Sequence, residues 1–179
     1  MKLSTEIEAK FITLPTDIRE RLQKLGAVCV SAERIMRRKN FDTPDRKLLA
    51  HNGWIRVRDE GDKVTLSYKQ VRDRSLTGTK EVTVKIDSFD TAIAFLDVIG
   101  FEAYTYQETK RESWQYGQVQ IEIDTWPWIP SYLEIEAPNE ATLWKVVEAL
   151  GLKKKMLFMA VWRSCISIIM MSLKKKLML

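Results

Sequence analysis

The chain has 179 residues, 45% apolar and 30% charged, enough for one globular domain with a real core and suited to a soluble protein. Its net charge of +5 hints at nucleic acid, but seven of the 29 basic residues lie in 153–179, which holds no acid; the other 22 face 24 acids, a net of −2, and the hint fails. MKLSTEIEAKF lacks the apolar run of a signal peptide, Cys29 and Cys165 are too few and too distant for a disulfide framework, and His51 is the single histidine, so a reducing cytoplasm is expected and a histidine-rich zinc site is not.

The first element is a strand over 4–12. Side chains alternate between faces along a strand, so Glu6, Glu8 and Lys10 share one face and Ile7 and Phe11 the other. TDIRERLQKLG follows as an amphipathic helix, with Thr16 as its N-cap, Ile18, Leu22 and Leu25 on one side and Gly26 as the stop. Strands are then expected over 34–42, 53–59, 63–71 and 79–87. In WIRVRDE, Arg56 and Arg58 oppose Ile55 and Val57. In VTLSYKQ, Thr65, Ser67 and Lys69 oppose Val64, Leu66 and Tyr68. In KEVTVKI, Glu81, Thr83 and Lys85 oppose Val82, Val84 and Ile86.

A second helix, SFDTAIAFLDVIG, turns Phe89, Ile93 and Leu96 inward and stops at Gly100. Strands over 103–115, 117–125 and 131–137 come next, with turns at Glu60-Gly61-Asp62 and Tyr116-Gly117 joining neighbours. Gln120, Glu122 and Asp124 oppose Val119, Ile121 and Ile123; Glu134 and Glu136 oppose Leu133 and Ile135. TKRESW reads two ways, with Arg111 beside Thr109 and Ser113, or Lys110 beside Glu112. The third helix, NEATLWKVVEALG, turns Leu143, Val147 and Leu150 inward and stops at Gly151. Trp126, Trp128 and Trp144 read as packing, and the loop WPWIPSY as a candidate rim of a binding site.

Long antiparallel strands with few helices between them point to a single α+β domain whose sheet can close into a barrel. The apolar rows must meet the three helices, which therefore pack outside. The opposite face is charged on strand after strand, with both signs mixed. On one strand such a face is ordinarily solvated. Repeated over six strands, with Glu-x-Glu twice and Arg-x-Arg once, it points to a polar lumen that a polyanion and divalent metal ions would neutralise.

EIEAKF, FDTPDRKLLAHNGWIRVRDE, VTLSYKQ and QIEIDTWPWIPSYLEIE, in that order, resemble the CYTH domain, or triphosphate tunnel metalloenzymes, over about residues 3–152. The resemblance implies an eight-stranded antiparallel β-barrel whose tunnel binds a triphosphate and Mg²⁺ or Mn²⁺. It implies metal binding by Glu6, Glu8, Glu134 and Glu136, with Asp124 at or beside the metal. Lys10, Arg56, Arg58, Lys69 and Arg111 become phosphate clamps in the catalytic site, and Lys85 and Glu81 join the substrate-binding set. Arg111 is then the inward residue of its strand. Thr83 stands where a second acid is usual, and Thr109 where a lysine is common.

The family includes class IV adenylate cyclases, thiamine triphosphatases and inorganic triphosphatases. The expected activity is metal-dependent hydrolysis of tripolyphosphate, thiamine triphosphate or a nucleoside triphosphate. Cyclisation of ATP to cyclic AMP and pyrophosphate is the alternative, and a non-catalytic polyphosphate or nucleotide binder the third reading. A triphosphate is the expected partner, with neither nucleic acid nor membrane; the resemblance leaves room for a homodimer. Residues 1–152 form the tunnel domain, and 153–179 an atypical basic, apolar tail. Arg163 and three serines interrupt that tail as a membrane span, so amphipathic packing on the barrel is the simpler structural reading. Related chains end in an acidic, tyrosine-rich helix. Codons for Ser-Ile-Ile-Met-Met-Ser, read two bases later, can spell Tyr-Tyr-Tyr-Asp-Val, which points to a shifted reading frame there.

Overall fold

The computed structural model of the chain describes residues 4–153, apart from 13, 74 and 128. The expectations for 154–179 and for Trp128 lie outside the described residues. Among the described residues four helices and nine strands succeed one another as β1 (Ser4–Thr5), β2 (Glu8–Ile12), α1 (Ile18–Leu25), β3 (Val28–Asp42), α2 (Lys47–Ala50), β4 (Gly53–Asp59), β5 (Val64–Val71), β6 (Thr79–Ile86), α3 (Phe89–Val98), β7 (Glu102–Tyr116), β8 (Val119–Trp126), β9 (Ile129–Glu136) and α4 (Glu140–Ala149).

All nine strands belong to one antiparallel sheet in the order β1-β6-β5-β4-β3-β7-β8-β9-β2. The two strands at its edges are consecutive in the chain, with only Glu6 and Ile7 between them. β1 pairs with β6, and β2 with β9. The Glu6 amide donates to the Thr79 carbonyl at 3.2 Å, while the Ala137 amide donates to the Ile7 carbonyl at 3.0 Å. One opening segment thus bridges both edges, and the curled sheet becomes a barrel. The ninth strand is the expected first strand broken in two.

Two cores flank the barrel. On one side α1 and α4 cover the outer rows of β2, β8 and β9, so that Leu22, Leu143 and Leu150 meet Phe11, Ile121, Leu133 and Ile135. On the other side α3 brings Phe89 and Leu96 onto Phe41 and Val57, with Ile55, Val64 and Leu66 packed around them. The helix faces are those the apolar spacing indicates, and Gly26 and Gly100 end their helices in the left-handed region.

Several boundaries differ. α1 begins at Ile18 with Asp17, not Thr16, at the cap position; Asp17 makes no cap bond and accepts from Arg21 Nε at 2.9 Å instead. β3 starts at Val28 rather than 34. Val28, Cys29 and Val30 are exposed, so no burial pattern marks them, and pairing with β7 through two register shifts holds this stretch. β9 starts at Ile129, which pairs with Trp126 across a bulge. The short α2 is anchored by buried Asp42, whose carboxylate accepts from the amides of Thr43, Leu48 and Leu49 at 2.7, 2.9 and 2.8 Å. Among the described residues no helix is long and apolar enough to cross a membrane.

Ile135 is fully buried under α4, whereas Val98 on α3 is 86% exposed. Ile135→Ala is expected to destabilise the fold by about 2–5 kcal/mol, and Val98→Ala by less than about 0.5 kcal/mol. Urea unfolding of the two variants checks the difference.

Candidate active site: a charged tunnel

The inward rows of the barrel enclose a tunnel of about 580 Å³, a size typical of small-molecule sites. Its wall holds seven basic residues (Lys10, Arg38, Arg56, Arg58, Lys63, Lys69, Arg111) and eight acidic ones (Glu6, Glu8, Glu60, Asp73, Glu81, Glu122, Glu134, Glu136). Strand register sets like charges against each other. Glu8 stands opposite Glu136, Glu134 opposite Glu122, and Arg38 opposite Arg58. Directly opposed like charges destabilise a sheet unless something of opposite sign comes between them.

Part of that opposite sign is supplied from within. Lys10 Nζ lies 2.6 Å from Glu8 and 3.1 Å from Glu134. Lys69 Nζ lies 2.9 Å from Glu6 and 2.6 Å from Glu81, and Arg56 reaches Glu81 at 3.1 Å. Against the opposing effect of burial, Lys10 and Arg111 hold the Glu134 carboxyl well below the usual carboxylate range. Burial, and a proton shared with Glu81, push Glu6 up to about 8. The proton belongs on Glu6, because Glu81 has both Lys69 and Arg56 beside it. Burial also raises Glu122, and burial with Glu134 and Glu8 raises Glu136.

The arginines are less well neutralised. Burial, then Arg56 and Arg111, push Arg58 down to about 10; burial, then Arg58 and Arg111, push Arg38 down to about 10. The Nε atoms of Arg38, Arg56 and Arg58 are buried without a hydrogen-bond partner. Arg111 is the exception. Asp124 takes its Nε at 2.6 Å and its Nη2 at 2.5 Å, and this carboxylate outweighs burial to raise the guanidinium further.

Ten of the expected site residues therefore line one tunnel: Glu6, Glu8, Lys10, Arg56, Arg58, Lys69, Glu81, Arg111, Glu134 and Glu136. Two stand elsewhere. Asp124 is buried behind Arg111 with both oxygens on that guanidinium, beside the tunnel rather than in its wall. Lys85 is exposed and is not part of the tunnel wall.

Sequence reasoning missed five charged residues of the wall: exposed Lys63 and Asp73, and the more enclosed Glu122, Glu60 and Arg38. Glu122 sits in a row it had read as inward, and its buried Oε2 has no partner. Glu60 looked like turn chemistry; it is 2% exposed and holds Arg58 at 2.5 Å and Arg34 at 3.1 Å. Arg38 lies in the run Arg37-Arg38-Lys39, where three adjacent bases hide the alternation. It donates to Thr109 Oγ1 at 3.1 Å and lies over the Trp126 ring at 4.9 Å. A cation thus stands beside position 109 although that residue is not lysine. Trp126, whose Nε1 donates to Tyr132 Oη at 3.1 Å, is the floor under Arg38 and more than packing; Trp144 packs against the main core.

Among the described residues no three potential metal ligands are gathered into a ready cluster. The donor chemistry nonetheless fits a hard divalent cation. Carboxylate oxygens suit Mg²⁺ and Mn²⁺, opposed glutamates repel each other, and Glu122 Oε2 is buried and unpartnered.

The family model of the CYTH domain matches residues 4–158. No curated protein matches the chain. Among solved structures, a Pyrococcus horikoshii protein is 22% identical, with 88% of this chain and 96% of that one covered and a TM-score of 0.73. A Vibrio parahaemolyticus protein that carries a provisional adenylate cyclase name is 15% identical, with 93% and 99% covered and a TM-score of 0.78. A Hippeastrum protein, provisionally an adenylyl cyclase and described as having a dominant triphosphatase activity, is 16% identical, with 85% and 89% covered and a TM-score of 0.58. At these identities the likeness is one of fold.

The raised Glu6 carboxyl gives a pH dependence of defined sign. Its stabilising contribution is full below the ordinary value of 4.5 and is lost as pH rises through about 8. Glu81, held low, acts only below the ordinary range and leaves that window alone. The metal-free protein is expected to lose stability between those two pH values, and Glu6→Gln to flatten the slope. Melting temperatures of both proteins from about pH 5 to about pH 9 check this; equal slopes would refute the placement of the proton.

Proposed function

This chain belongs to the CYTH domain family, and on that footing we propose that it is a divalent-metal-dependent triphosphatase acting on tripolyphosphate or an organic triphosphate. The observation that carries the reading is a single tunnel in which three buried arginines have unpartnered Nε atoms and face carboxylates that repel one another. A chain of phosphates neutralises the first group, and a divalent cation the second. The triphosphatase activity of the Hippeastrum relative leans the same way.

Glu8, Glu134 and Glu136, with Glu6, are the residues assigned to hold Mg²⁺ or Mn²⁺, which when bound supplies charge neutralisation and Lewis acidity. Arg56, Arg58, Lys69 and Arg111 bind the phosphate oxygens. Asp124 keeps the Arg111 fork in one orientation by accepting from two of its nitrogens. Lys10 and Lys69, which neutralise carboxylates in the ligand-free protein, line the same tunnel and would turn to phosphate were a cation to replace them. Phosphoryl transfer needs mostly positioning and charge stabilisation, which a rigid cage of this kind provides. A water attacks the terminal phosphorus, the bond to the bridging oxygen breaks, and the water's proton passes to a carboxylate raised by burial. Glu122, which lines the tunnel and has an unpartnered Oε2, is the acceptor assigned.

The test incubates the protein with tripolyphosphate, thiamine triphosphate and ATP, each with Mg²⁺ or Mn²⁺. Orthophosphate release that stops on chelation is the expected result. Cyclic AMP and pyrophosphate from ATP would move the assignment to a class IV adenylate cyclase, and no product from any of the three would overturn it. Glu8→Gln is expected to lower turnover by roughly 100-fold, and Lys69→Ala to raise KM by about 10-fold or more. Steady-state kinetics at saturating metal separate the two effects.

A further inference from the structure

The arginine part of the tunnel holds one cation more than the strand patterns disclose. Arg38 is 7% exposed, lines the tunnel and stands directly across the β3–β4 pair from Arg58. A buried arginine with a purely structural task ordinarily has a carboxylate to pair with. Among the described residues, the contacts that hold Arg38 are the Thr109 hydroxyl at 3.1 Å and the face of Trp126 at 4.9 Å. Both are neutral. They fix the plane of the guanidinium without an ion pair, Asp124 acting on it only at longer range, and its Nε is buried with no partner. A like charge opposite, an aromatic floor beneath and a free N–H edge are the features of a group prepared for an anion.

We propose that Arg38 is a phosphate-binding residue of the tunnel, offering its guanidinium to an oxygen of the bound polyphosphate beside Arg58 while Trp126 and Thr109 hold its plane. The proposal rests on the reading of the tunnel as a polyphosphate site and adds a clamp that comes from β3. Trp126 then becomes a reporter, because an anion that draws on Arg38 alters the cation above its indole.

The experiment titrates the full chain with imidotriphosphate, a hydrolysis-resistant analogue of tripolyphosphate, in Mg²⁺, by calorimetry and by tryptophan fluorescence. Arg38→Gln is expected to weaken binding by about 10–100-fold while the melting temperature of the ligand-free protein stays level or rises, since an unpaired buried charge has gone. Arg38→Lys keeps the charge and loses the planar stack, and is expected to fall between. The fluorescence change on binding is expected to shrink in Trp126→Phe. Binding by Arg38→Gln within about twofold of wild type, or a lower melting temperature with unchanged binding, would make Arg38 structural and overturn the proposal while the triphosphate reading stands. Failure of the wild-type protein to bind the analogue would remove both.

Discussion

Charges of one sign face each other across neighbouring strands, inside a sheet that has closed on itself. Glu8 against Glu136, Glu134 against Glu122 and Arg38 against Arg58 are arrangements a sheet tolerates poorly, and here they are drawn out of bulk water as well. Lys10 and Lys69 relieve part of the strain among the acids, and Glu60, Glu81 and Asp124 relieve part of it among the bases. What they leave over includes a Glu122 oxygen and three guanidinium Nε atoms without partners, which ligands of opposite sign would satisfy on the proposed function. The apolar rows are buried elsewhere, under helices on two flanks, and supply the opposing stabilisation.

The division of labour between the two faces made much of the site readable in advance. Period-two alternation is strict in WIRVRDE, QVQIEID and YLEIEA, so Arg56, Arg58, Glu134 and Glu136 could be placed on the inner wall before any coordinates. Alternation cannot say how far along a row the enclosure extends, and Lys85, on the correct side of β6, lies beyond it. Nor can it separate a loosely held carboxylate from one fully engaged. Asp124 and Glu122 are two residues apart on one face of β8; Arg111 on the next strand takes both oxygens of the first at 2.6 and 2.5 Å and only Oε1 of the second, at 3.9 Å.

Two further failures have a common physical root. Arg38 sits among adjacent bases, and Val28–Ser31 among side chains that are not buried, so in neither stretch does a contrast between neighbours reveal which way the chain faces. Glu60 was legible as part of a turn and illegible as a buttress, because the arginines it holds come from different strands. These are long-range facts. They follow from sheet order, which places β3 between β4 and β7 although 59 residues separate the end of β3 from the start of β7 in the chain.

The opening segment has the most far-reaching role for its size. Residues 4–12 touch both margins of the sheet, and the same few residues carry Glu6, Glu8 and Lys10. The segment that joins the two margins is therefore also part of the tunnel wall. β1 contributes only two paired residues, so much of its hold comes from side chains, with Lys69 gripping Glu6 across the gap. On the proposed function, a ligand in the bore would meet the same segment that joins the two margins, so binding and closure would be linked.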